Sequence, residues 1–142
     1  MSIETFARPM RDHRAKLDGD TGSGSSAADS FNRAGTAITN LGGDHEGLVR
    51  TALGGWYGQQ AGVFQDHAGK VKNAMTALAG NSTTASTVAS TATAAVTSGR
   101  STIDNLITEF IGRATPMLEA AQTAAASGDN GRAIQAFASV RT

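Results

Sequence analysis

Leu53-Gly54-Gly55-Trp56-Tyr57-Gly58 gathers three glycines around the only tryptophan and the only tyrosine of the 142-residue chain. A glycine inside a helix costs about 1 kcal/mol against alanine, so this stretch interrupts any helix that reaches it. It is expected as a turn carrying an aromatic plug. On its N-terminal side, apolar or near-apolar positions recur at Phe31, Ala34, Ile38, Leu41, His45, Leu48 and Ala52. Spacings that alternate three and four make a heptad seam with one polar intruder, and predict a helix A over about 28–53, capped by Asp29 or a nearby serine. On the C-terminal side the pattern resumes at Ala61, Phe64, Ala68, Val71, Met75 and Leu78, predicting a helix B from Gln59 to at least Ala79.

Two helices joined by a short turn, each with one apolar stripe, bury those stripes against each other as an antiparallel hairpin. With the turn centred on Trp56, facing residues have numbers summing to about 112, which pairs Leu48 with Phe64, Leu41 with Val71 and Ala34 with Leu78. Gly35, Gly42, Gly43 and Gly47 together cost a helix about 4 kcal/mol. Either helix A breaks at Gly42-Gly43 and restarts on Asp44, or close backbone packing offsets the cost. The seam keeps its phase across the pair, which favours a continuous, bent helix.

Farther out, residues 82–98 are almost wholly Ala, Ser, Thr and Val. Helix B either ends at Gly80-Asn81 or continues in phase through Ala85, Ala89, Ala92 and Val96. A third segment starts near Ser101 or Thr102 and carries Ile103, Leu106, Ile107, Phe110, Ile111, Ala114, Met117 and Leu118, a face wide enough for a bundle, with Pro116 permitting a kink. After a turn at Gly128-Asp129-Asn130-Gly131, Arg132 to Val140 forms a short last helix with Ile134, Phe137 and Val140 on one face. Gly19 to Ser26 reads as a flexible linker behind a weakly structured arm. The expected fold is all-α: an arm and linker at 1–26, the hairpin at 27–81, a connector with a third amphipathic helix at 82–127, and a turn with a short helix at 128–142. Together these make an elongated helical bundle.

The two seams flanking Trp56-Tyr57-Gly58 resemble the WXG (ESAT-like) family of small type VII secretion substrates and their longer ESX-associated relatives in actinobacteria. The resemblance covers about Asp29 to Leu78. It implies a secreted helical hairpin that binds a homo- or heterodimeric helical partner, often as a four-helix bundle, and is recognised folded by the secretion machinery. Carried over, Trp56 and Gly58 are the turn residues, Trp56 packing over the hairpin end or contributing to a recognised groove and Gly58 letting the chain turn closely. The family's Tyr-x-x-x-Asp/Glu export signal has no match, because the sole tyrosine is Tyr57 and the residue four later is Ala61. A partner then supplies the signal, or the chain is the targeting module of a larger effector.

Composition narrows the remaining classes. Twelve Lys and Arg balance twelve Asp and Glu, leaving no net attraction to nucleic acid. The absence of cysteine removes thiolate nucleophiles and thiolate metal sites. Neither a nucleophile elbow nor a phosphate-binding glycine loop occurs, and no cofactor or small-molecule substrate is expected. Arg8, Arg11, Arg14 and Lys16 form either a solvated tail or a basic arm, diluted by Glu4 and Asp12. No apolar stretch follows them, so neither a cleaved signal nor a membrane span is expected.

His45 and His67 come near each other in the expected register, beside Asp44, Glu46 and Asp66. They suit a divalent metal, a pH-sensitive packing contact or an ordinary polar interruption, and they lack the i,i+3 or i,i+4 ligand pairing of a helical metal site. A helical metal-binding enzyme is thus one alternative function, and a cytoplasmic structural coiled coil or adaptor another. The main expectation is a non-enzymatic protein that works through its surfaces. Only 24 of the residues are Leu, Ile, Val or Phe, against 26 alanines, too few bulky side chains for a self-sufficient core.

Overall fold

The computed structural model describes residues 3–128 together with 131, 132, 134, 135 and 138. It is all-helical, with three helices: α1 (Ile3–Ala15), α2 (Thr21–Leu53) and α3 (Gln59–Ala126). No strand occurs among the described residues. The chain divides into two compact units, one of residues 20–94 and one of residues 1–19 with 95–142.

In the unit of residues 20–94, α2 begins at Asp20, whose carboxylate accepts the Ser23 backbone N–H at 3.0 Å and also the Ser23 hydroxyl. This cap satisfies an orphan donor of the first turn. Those bonds hold the Asp20 carboxyl below its ordinary range, the Ser23 hydroxyl contributing most. The helix therefore starts inside the Gly/Ser run, where the sequence suggests a linker, and it passes through Gly42-Gly43 without a break.

The contacts between α2 and the first part of α3 run in opposite directions. A Cβ on Gly24 would meet Thr93, one on Gly35 would lie 3.5 Å from Ser82 Cβ, and one on Gly42 would lie 3.9 Å from Met75, while Lys72 Nζ donates to Glu46 at 2.7 Å. These residue numbers sum to 117 or 118 rather than about 112, so the pairing is shifted from the expected one.

The shift has a physical cause. Its inner positions carry small residues: Ala28 and Gly35 are buried on α2, and Ala61, Ala68 and Ala79 on α3. Small side chains let the two backbones approach, and a Cβ at Gly35 would stand 3.2 Å from the Ala79 carbonyl oxygen. Close approach gains dispersion contacts along the whole pair, though buried alanine removes little apolar area from water.

The helix α3 continues without interruption through 82–98 and on to Ala126, so the separate third helix expected from Ser101 is instead the C-terminal part of α3. The Ser/Thr-rich stretch stays helical, and its hydroxyls turn back on their own helix. Thr83, Thr84, Thr87 and Thr93 each donate to the carbonyl four residues back, at 2.8 to 3.1 Å. Thr donors satisfied in this way do not compete for other backbone groups.

In the other unit, the expected arm is the helix α1. Its apolar positions Ile3, Phe6, Ala7 and Met10 follow helical spacing, with Ala7 fully buried, and Leu17 lies in the turn after the helix. The Arg14 Nε donates to Asp104 at 3.0 Å, and Arg100 Nε donates to the Leu17 carbonyl at 2.7 Å. Ala114, Leu118 and Ala121 are buried on α3 in the same unit, and Pro116 lies within the helix. Of the expected last helix, residues 131, 132, 134, 135 and 138 are helical, while Phe137 and Val140 lie outside the described residues, as do Asp129 and Asn130.

Candidate functional site

The bend between α2 and α3 is built from backbone bonds. Gly54 donates to the Thr51 carbonyl at 3.2 Å and Trp56 to the Leu53 carbonyl at 3.1 Å, which tightens the end of α2. Gly58 follows with φ of 99°, a region that residues with a Cβ rarely adopt, and its carbonyl accepts the Gly62 N–H as the first turn of α3 closes. Gly58 is therefore required where α3 begins.

The Trp56 ring lies 5.5 Å from that of Phe64, tilted by 58°, a favourable aromatic geometry. Trp56 nevertheless remains 48% exposed and Tyr57 86%. Together with Val49, Leu53, Ala61 and Gln65 they border an open groove at this end of the unit.

The eight seam residues expected from the sequence do not share one fate. Ile38 and Met75 lie half-buried along the contact between the helices, where both border a groove with Gly42 and Ala79. Phe31 occupies an inner heptad position yet stays largely exposed. Leu41 (55% exposed), Leu48 (71%), Phe64, Val71 and Leu78 (54%) stand outside the seam. The inner position is instead one residue farther along the chain, at Gly35, Gly42 and Val49 on α2 and at Ala79 on α3, with Gln65 and Lys72 in the same heptad phase as Ala79 but exposed at the edge of the contact.

Residues immediately before such inner positions, on both members of an antiparallel pair, lie on the same flank. Leu41 and Leu48 of α2 therefore share a flank with Phe64, Val71 and Leu78 of α3. The pairs that the sequence suggests as a core, Leu48 with Phe64 and Leu41 with Val71, are neighbours on an open apolar strip.

The opposite flank is polar. Thr39, Glu46, Thr76 and Thr83 border it, and Lys72 reaches across to Glu46. The hydrogen bond and charge of Lys72, with a smaller contribution from Arg50, hold the Glu46 carboxyl below its ordinary value. His45 sits half-buried beside Glu46, Val49, Ala68 and Lys72, and its Nδ1 is buried without a hydrogen-bond partner.

His67 is exposed, and the shifted register places position 72, not 67, opposite His45. The expected meeting of the two histidines does not occur. Among the described residues, no three His, Asp or Glu side chains are gathered where they could hold a metal ion.

Comparison with family models, curated proteins and solved structures finds no match. No helix among the described residues is long and apolar enough to cross a membrane.

Sequence reasoning missed the apolar flank as a flank, because neighbouring positions such as Ala34 and Gly35 both continue the three-four spacing. It also missed the docking of α1, whose signal was present in the spacing of Ile3, Phe6, Ala7 and Met10 but lay beneath a polar composition.

Proposed function

We propose that this chain is a type VII secreted helical protein, or the targeting module of a larger secreted effector, that acts by helix–helix binding to a partner. In this reading α2 and the first part of α3 form a WXG-type hairpin, with Trp56 and Gly58 at its turn. The partner is a second helical hairpin, of the same or a different chain, that completes a four-helix bundle. Function lies in surfaces rather than in a catalytic centre, with no cofactor.

The observation that carries the proposal is the strip of Leu41, Leu48, Phe64, Val71 and Leu78. Large apolar residues stand outside an inner seam of glycine and alanine, and no large side chain is fully buried anywhere among the described residues. Burying a leucine contributes about 1.5–3 kcal/mol, so a helical partner laid along this strip supplies the stabilisation that the seam lacks. The exposed Trp56 at the end of the same unit offers the large, rigid contact typical of recognition sites.

Export is tested by comparing culture filtrate with lysate in strains with and without the secretion ATPase. Loss of the protein from the filtrate of the deficient strain supports the reading, and unchanged release sinks it. Retention in the cytoplasm of both strains, with a helical partner bound, favours a cytoplasmic adaptor using the same strip. Co-expression with small helical proteins encoded nearby, followed by mass measurement of the intact complex, identifies the partner.

A further inference from the structure

We propose that α1 is a releasable strap over α3 and that Arg100 is its latch. The Arg100 guanidinium donates to two backbone carbonyls of the connection that follows α1, those of Leu17 and Gly19, and also approaches the Asp18 carboxylate at 4.0 Å. Its side chain is only 20% exposed, so these charge-assisted bonds are partly shielded from water. One turn before, Arg14 is shared between Asp18 and Asp104 of α3, and Leu17 Cδ1 lies 3.3 Å from where a Cβ on Gly99 would stand. The C-terminal end of α1 is thereby pinned to α3 at Gly99, Arg100 and Asp104.

The body of the strap is apolar on its inner side: Ile3, Phe6 and Met10 are half-buried and Ala7 is fully buried. Continuing the antiparallel order set by Leu17 with Gly99 and Arg14 with Asp104 carries these residues along Ile103, Ile107, Phe110 and Ala114. Those α3 residues are half-buried or buried.

Three features make the strap separable. A helix of 13 residues does not persist alone in water. Pro9 removes one of its internal hydrogen bonds. Gly19, where an added Cβ would meet nothing within 4 Å, serves as the pivot before Asp20 restarts the chain as α2 once its carbonyl leaves Arg100. The strap covers an apolar face of α3 with a segment of the same chain, and its release uncovers that face.

Native-state hydrogen exchange on the full chain tests the device. In the wild type, amides of residues 3–15 are expected to open at lower denaturant than those of 61–79. Arg100→Ala is expected to speed exchange across α1 by about tenfold or more, as for the loss of charge-assisted hydrogen bonds, while leaving 61–79 within about twofold. Arg100→Lys keeps the charge but not the fork that spans two carbonyls, and is expected to fall between the two. The proposal is overturned if α1 opens together with 61–79 in the wild type. It is overturned equally if neither substitution accelerates α1, or if both accelerate the whole chain alike.

Discussion

Gly35 lies directly beneath the main chain of Ala79, where a Cβ would come to 3.2 Å from the carbonyl oxygen and 3.3 Å from Thr83 Oγ1. The glycine that looks costly in a helix is thus the point at which two helices touch backbone to side chain. Around it, alanine and glycine form the inner seam and the leucines are displaced to a flank.

Glycines in different settings should respond in opposite ways. Gly43 and Gly47 have nothing within 4 Å of a would-be Cβ, so alanine at each should raise stability by about 0.5–1 kcal/mol. At Gly35 the opposing carbonyl cannot swing aside, and valine should lower stability by about 1–3 kcal/mol. Urea midpoints for the three variants check this, and a stabilising Gly35→Val would contradict the close approach.

Substitution on the flank should separate folding from association. Leu41→Ser and Leu48→Ser change exposed side chains, so unfolding free energy should move by no more than about 0.5 kcal/mol each. Mass in solution, measured by sedimentation with the partner present, should shift toward the free chain. A large loss of helicity without any change in association would assign these leucines to the fold instead.

The Trp56 contact with Phe64 is worth about 1 kcal/mol beyond the area it covers. Trp56→Ala should lower the melting midpoint modestly, with little change in circular dichroism at low temperature. Export or partner binding should suffer more. Trp56→Phe, which keeps an aromatic ring against Phe64, should restore most of the melting midpoint, and equal loss in both variants would detach the effect from ring packing.

The pairing of Glu46 with Lys72 predicts an acid dependence. Because Lys72, and to a lesser degree Arg50, depress the folded-state value of Glu46, its contribution is present above the ordinary value of 4.5 and is lost as the pH falls through the depressed one. Wild-type stability should therefore decline on acidification more steeply than that of Glu46→Gln. Parallel decline in urea titrations across about pH 3–6 would remove Glu46 from the account.

Much of this architecture was legible in the residues. Gly58 follows Trp56-Tyr57 where a helix must stop, and the three-four spacing runs on both sides of that point, whereas the cap of α2 falls at Asp20 rather than at the expected Asp29 because the Gly/Ser run is itself helical. What misled was the breadth of the stripe. On α2 both Leu41 and Gly42 continue the rhythm, and apolarity alone selects the leucine. Thr83, Thr87 and Thr93 were ambiguous for a different reason, since threonine is a poor helix former and most helical stability comes from tertiary packing.

Local sequence, then, determined that the chain is helical and where its main bend falls, because periodicity and glycine conformation act over a few residues. Only the tertiary structure decided which side of each stripe turns inward, and that α1 lies on α3. Those outcomes depend on how closely two backbones can approach, a property of facing pairs such as Gly35 with Ala79 and Leu17 with Gly99, which no single helix carries by itself.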